Sequence, residues 1–277
     1  MSANTKIFQL YFKSEQVSHL DPLFTPYDNT ANPRPELREW YIWDKEHGNV
    51  SKENLDYWGY VSWKFKEKSN LTGQDVFDHI NNNPGYEVYL FNPCIVNEAL
   101  FVNNWEQGDN YHPRISEIGN TFLAKIGYED IDVKTMLLDR TRTVFANYVV
   151  GNQRFWREFM AFSRRIFAEA KTDAAFEDRV FGAGHSKYAY DPSLPMFTFL
   201  IERLIPTFLD LEGFNVCPYV YTDQTLPNKY RPFANDIRIL SDLKTQINKH
   251  DSDELYNIWN YLRWDYLNKN PNIIHLE

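Results

Sequence analysis

The stretch "DYWGYVSWKFKEKS" (residues 56–69) runs apolar and aromatic and then turns abruptly basic. Aromatic and β-branched residues in so short a run mark a buried strand. Its end at Ser62-Trp63-Lys64 is where the chain surfaces, either to cap the core or to face a ligand. Upstream, "KIFQLYF" (6–12) alternates Ile7, Gln9 and Tyr11 against Phe8, Leu10 and Phe12, which predicts a first, central strand. Between them, the polar loop "PYDNTANPRP" (26–35) leads to a helix in "ELREWYIWDKEHG" (36–48). Pro35 suits its first position, Leu37, Trp40 and Tyr41 share a face, and Gly48 suits its end. Downstream, "YEVYLFNP" (86–93), "RTVFANYVV" (142–150) and "NVCPYVY" (215–221) read as strands.

Helices are predicted at 72–83, with Thr72 as N-cap, and at 152–170, where Phe155, Phe159, Phe162 and Ile166 recur at helical spacing. A third, "MFTFLIERLIPTFLDLEG" (196–213), is mostly apolar and bent at Pro206. From Asn235 two more helices follow, divided by a capping box of Asp251 and Glu254. Strands alternating with helices imply an α/β layered sheet. No repeat, low-complexity tract or Gly/Ser linker divides the chain. The expectation is one α/β domain over 1–234 and a helical extension over 235–277 packed on it.

The chain has 277 residues, 43% hydrophobic and 17% aromatic. Such an aromatic load fits a Phe-rich core with Tyr at its rim, or aromatic faces for carbohydrate or nucleobase. With 29 basic against 38 acidic residues, a net −9 and no basic stripe, a nucleic-acid partner is not expected. Cys94 and Cys217 lie far apart without metal-ligand spacing and predict two buried thiols in a reducing compartment. "MSANTKIFQLYFKSEQ" lacks the apolar run of a signal peptide and no apolar stretch is long enough for a membrane span, so a cytoplasmic protein is expected.

No phosphate-binding glycine loop, His-Glu-x-x-His or Gly-x-Ser-x-Gly occurs, and the seven histidines form no ligand pattern. The informative oddity is Glu202-Arg203 inside "FTFLIERLIPTFL". Apolar residues cover most of this helix, so the carboxylate either pairs with its neighbourhood or faces a cleft. The first alternative is a salt bridge pinning the helix. The second is a general base of raised pKa in an active-site wall.

In order and character, "YDNTANP", "ELREWYIWDK", "DYWGYVSWKF", "YEVYLFNP", "NYVVGNQRFWREFMAF" and "FLIERL" resemble the bacterial GT-A-like glycosyltransferases of capsule and lipopolysaccharide gene clusters. That family has a Trp-x-Trp-Lys-Asn helix, a strand ending near Gly-Leu-x-His-Tyr-Arg-Arg, and an Ala-Glu-Arg-Leu helix. The likeness covers roughly residues 6–220. Gly59 matches the strand glycine, Lys64 the first arginine, Asn147 the asparagine of a later strand, and Glu202, Arg203 and Leu204 the helix motif. Ser62 and Trp63 stand for His and Tyr, Phe65 replaces the second arginine, and the Glu36–Trp43 spacing is one residue short.

The resemblance implies a mixed, mainly parallel sheet flanked by helices, with a helical C-terminal addition. It implies transfer of a sugar from a nucleotide-sugar to a saccharide or lipid-linked saccharide acceptor, in surface polysaccharide synthesis at the inner face of the membrane or within a glycosyltransferase complex. Donor-binding residues would be Tyr11, Asp28, Asn29, Ser62, Trp63 and Lys64; acceptor-binding residues Asn147, His185 and Tyr188. Glu202 would be the base and Arg203 would hold it or a phosphate. No metal is expected, because Ser-Trp-Lys stands where many such enzymes place Asp-x-Asp. Asp130 and Asp132 of "EDID" would be the ligands if manganese or magnesium were used, or else a solvated turn. The loop 181–195, with Gly182, Gly184 and Lys187, would be a lid or a plain connection. The rival reading is a non-catalytic saccharide-binding or assembly protein that keeps the fold; a hydrolase with paired carboxylates is a third.

Overall fold

A computed structural model describes residues 2–182 and 194–275. Its strands are β1 (Thr5–Tyr11), β2 (Thr25–Asp28), β3 (Tyr57–Ser62), β4 (Val88–Leu90), β5 (Val149–Asn152) and β6 (Val216–Pro218). Its α-helices are α1 (Arg38–Val50), α2 (Phe65–Ser69), α3 (Gly73–Asn82), α4 (Ile95–Leu100), α5 (Asn104–Tyr111), α6 (Ile115–Lys125), α7 (Gln153–Glu169), α8 (Ala174–Phe181), α9 (Met196–Glu212), α10 (Ala234–His250) and α11 (Asp253–Lys269). The strands form one sheet in the order β2-β1-β3-β5-β4-β6. Only β5 runs against its neighbours, so the fold is α/β with a mixed, mainly parallel sheet.

Strand alternation sorts the core into two layers. Phe8, Leu10, Trp58, Tyr60, Val88, Leu90, Val149 and Val216 pack with residues of α1, α7 and α9. Ile7, Val61, Tyr89, Val150 and Cys217 pack with α3, α4, α10 and α11 on the other face. In α7 the predicted stripe is buried, and Trp156 Nε1 donates to the Trp58 carbonyl at 2.8 Å, tying helix to sheet. Gly59 answers to β5: a Cβ there would overlap the Val149 carbonyl and approach Val150 Cγ2 to 2.8 Å. At α3, Thr72 caps as predicted, with Asp75 completing the box.

Several expectations are corrected. β1 is interior but second from the edge; β3 and β5 occupy the middle. The 26–35 loop begins inside β2, whose Pro26 is tolerated because an edge strand needs only one row of hydrogen bonds. The run 142–150 becomes strand only at Val149, because Ala146 and Asn147 take φ of 58° and 57° and break the ladder. Gly48 lies inside α1, which continues to Val50. The tail helices are parted by Asp251 in the left-handed region and capped by Ser252, which accepts from the Leu255 amide at 3.3 Å; Asp251 and Glu254 form no box. Cys217 is buried but Cys94 only half so, and neither is in a disulfide.

The last two helices are fixed by buried charge. Lys244 of α10 donates to the carbonyls of Glu98 (2.5 Å) and Phe101 (2.8 Å), with the Glu98 carboxylate 3.8 Å away. Arg263 of α11 meets Glu106 at 2.8 Å and the Leu100 carbonyl at 3.1 Å, and Trp259 Nε1 donates to the Ala99 carbonyl. Among the described residues no helix is long and apolar enough to cross a membrane.

Removing one partner of a buried pair strands the other. Lys244→Ala should therefore lower unfolding free energy by about 3–5 kcal/mol in a urea titration. Joint replacement, Lys244→Met with Glu98→Met, should recover most of it. A single variant as stable as the parent would contradict this role.

Candidate functional site

Because β5 runs antiparallel, its first residues arrive at the same edge of the sheet as the last residues of β1, β2 and β3. Asn29, Tyr11, Ser62 and Asn147 consequently follow one another along this carboxyl edge, spanning about 14 Å at ~4.8 Å per strand. The predicted donor residues and Asn147 thus share one rim.

At the β2 end, the Asn29 amide donates to the Tyr11 carbonyl at 2.9 Å, while its buried Nδ2 finds no hydrogen-bond partner among the described residues. Asp28 is exposed; its carboxylate accepts from the Thr30 amide at 2.9 Å, and Thr30 holds it below the ordinary carboxyl value. Tyr11 is shifted upward by desolvation and by the neighbouring Asp28.

In the middle, Ser62 Oγ and Tyr148 Oη lie 2.6 Å apart. Burial pushes the Tyr148 phenol far up, so it stays protonated. The Trp63 amide donates to the Leu10 carbonyl at 2.8 Å, extending the ladder past β3. The Lys64 ammonium lies 5.1 Å from the Trp63 ring centroid and 3.4 Å from Glu67. An exposed pair of this kind is worth little, so the ammonium can be recruited elsewhere cheaply. Asn147, 5% exposed, leaves Oδ1 without a hydrogen-bond partner among the described residues. Two successive non-glycine residues in the left-handed region, Ala146 and Asn147, are held there by surrounding packing.

Glu202 projects from α9 with its side chain 35% exposed. It is not entombed, and both Glu39 and Tyr148 feel its charge. Arg203 points elsewhere. Its guanidinium donates to the Phe199 carbonyl (2.6 Å) and Gln107 Oε1 (2.9 Å), with Glu202 only at 3.8 Å. Gly108 leaves room for it: a Cβ there would come within 2.8 Å of Nη2. Burial lowers Arg203 to about 10, so it remains charged, and it clamps α5 to α9. The same burial, with the Arg203 charge, lowers neighbouring His112 to about 3.

Sequence reasoning missed two members, Glu39 and Tyr148. Glu39 opens α1 behind Arg38, whose φ of 50° and ψ of −136° are strained for any side chain. Arg38 Nε has no hydrogen-bond partner among the described residues. Burial pushes the Glu39 carboxyl up and the Glu202 charge adds to it, against the pull of Arg38 and Lys68. Tyr148 carried a signal, standing directly after Asn147 at the mouth of a strand. Glu39 carried none beyond its place at a helix start.

Asp130 and Asp132 are exposed; Asp132 accepts from Asn120 Nδ2 (2.8 Å) and the Lys134 amide (3.0 Å) in a turn. No three His, Cys, Asp or Glu side chains among the described residues are grouped so as to hold a metal. His185, Tyr188 and residues 183–193 of the expected lid lie outside the described residues. Further along the edge, beyond β4 and β6, a cavity of about 60 Å³ is lined by Asn92, Glu98, Tyr219 and Tyr221 among others. No protein-family model, curated protein or solved structure matches this chain.

The raised Glu39 means that the folded state binds more protons than the unfolded one above the ordinary carboxyl value of 4.5. Its contribution to stability must then fall as pH rises from 4.5 through the raised value. Glu39→Gln should remove that decline: denaturation of both proteins from acid to neutral pH should show the variant gaining on the parent. Parallel curves would contradict a desolvated carboxyl at this position.

Proposed function

We propose that this protein is a GT-A-like glycosyltransferase that moves a sugar from a nucleotide-sugar to a saccharide or lipid-linked saccharide acceptor, in bacterial surface polysaccharide synthesis on the cytoplasmic side of the membrane. The observation that carries the reading is the rim itself. Unsatisfied amides, an exposed carboxylate and a movable ammonium line the carboxyl edge of a mainly parallel sheet, and the charges of Glu202 and Glu39 are felt at Tyr148 beside it. Open α/β sheets bind ligands at that edge.

In this reading the base and ribose lie along Tyr11, Asp28 and Asn29, where Asp28 accepts from ribose hydroxyls. The diphosphate lies against Ser62 and Lys64. The Lys64 ammonium offsets part of the diphosphate charge, less strongly than a divalent ion would. Asn147 orients the acceptor, and Glu202, open enough to receive a hydroxyl proton, deprotonates it for attack at the anomeric carbon. Arg203 positions α9, the helix that carries Glu202, and burial pushes the carboxyl of Glu39 up, toward its protonated form.

One observation favours the non-catalytic alternative: Ser62-Trp63-Lys64 stands where many such enzymes place Asp-x-Asp. A nucleotide-dependent rise in melting temperature separates the two readings, since only a ligand of the native state stabilises it.

Incubation with a panel of nucleotide-sugars and saccharide acceptors should give transfer, or slow donor hydrolysis, that persists in chelator. Lys64→Ala should weaken nucleoside diphosphate binding by about 1.5–3 kcal/mol. Glu202→Gln should lower kcat by about 10²–10⁴-fold with the nucleotide affinity kept. No turnover of any donor, with no nucleotide detected by calorimetry, would overturn the proposal; loss of binding in chelator with rescue by manganese would overturn the role of Lys64.

A further inference from the structure

The outer face of α11 carries an exposed stripe that the proposed reaction leaves unused. Asn257, Tyr261, Trp264 and Asn268 recur at i, i+4, i+7 and i+11, so they line one side of the helix. Tyr261 is 71% and Trp264 51% exposed, although most of the eight tryptophans are buried. With Asn260 and Asp265 they line an open concavity of about 420 Å³. The side chains of Asn257, Tyr261, Trp264 and Asn268 have no hydrogen-bond partner among the described residues.

The stripe is built on a rigid base. Arg263, 5% exposed, donates from Nε to Asn260 Oδ1 at 2.8 Å, and its guanidinium lies 5.1 Å from the Trp264 ring centroid. The same guanidinium is tied to Glu106 at 2.8 Å, and Trp259 beneath is fully buried. One buried cation therefore fixes both the ring and an amide of the surface above it. Such a platform loses little conformational freedom on binding.

The chemistry of the lining selects the occupant. Two adjacent aromatic faces offer apolar contact, and amides beside them both donate and accept. A pyranose has a matching C–H face and a hydroxyl rim. Anionic lipid and nucleic acid are disfavoured: Asp253, Glu254 and Asp265 lie along this helix, Lys269 is paired to Asp265 at 2.6 Å, and the chain carries −9. We propose that the α11 stripe is a binding surface for a neutral oligosaccharide, with Tyr261 and Trp264 under successive sugar rings. It shares no residue with the carboxyl-edge site, and the two proposals stand or fall separately.

Titration of the full chain with maltoheptaose, cellohexaose and hexa-N-acetylchitohexaose, followed by calorimetry, tests it. At least one should bind, Trp264→Ala and Tyr261→Ala should each weaken it about tenfold or more, and Trp264→Phe should restore part of the loss. Since both side chains are exposed, melting temperatures should stay unchanged. Binding of none of the three, or equal affinity in parent and variants, would overturn the proposal. So would sedimentation with phosphatidylglycerol vesicles that disappears in Trp264→Ala.

Discussion

The antiparallel pairing of β5 with β3 is the constraint on which the arrangement rests. Gly59 opposite Val150 lets the two backbones approach, and a side chain there would strike the Val149 carbonyl. This pairing brings the start of β5 to the end of β3, sets Tyr148 Oη against Ser62 Oγ, and launches α7 under the sheet with Trp156 bonded to Trp58. The left-handed turn at Ala146 and Asn147 is the local cost of entering the sheet in the reverse direction.

Buried charges arrange the helices around that sheet. Arg203 joins α9 to α5, Lys244 joins α10 to α4, and Arg263 joins α11 to α5. Desolvating such groups is expensive, so each requires its particular carbonyl, amide or carboxylate partner. They serve better to select one packing than to add stability. Through Arg203, α9 is held so that the charge of Glu202 acts on Glu39 and Tyr148; through Arg263, α11 is held with its aromatic stripe outward.

Where one physical signal dominated, the sequence was legible. β1, β3, α3, α7, α9 and the tail helices follow from alternation, helical period and a cap at Thr72. The helices α4 to α6 were not, because their segment mixes polar and apolar residues and its organiser is tertiary. Asn103 caps α5 through the amides of Trp105 and Glu106, and Trp105 reaches Thr207 on α9. β2 was hidden by Pro26, which only an edge accepts. Of the site, Ser62 was legible from its place at a strand end, whereas Asn29 and Asn147 were named only through the resemblance, since one stood in a polar loop and the other inside an expected strand. Glu39 was not, since its shifted carboxyl depends on Glu202, distant in sequence, and on burial that no local pattern encodes.

The central claim is that nucleoside diphosphate binds along the carboxyl edge from β2 to β5. Hydrogen–deuterium exchange of the full chain, with and without saturating nucleoside diphosphates, tests it most directly. The account predicts slowed exchange in peptides covering residues 11–12, 28–31, 62–68 and 146–148 with one of them. Protection confined to the cavity beyond β4 and β6, around Tyr219 and Tyr221, or none with any nucleotide, would contradict it.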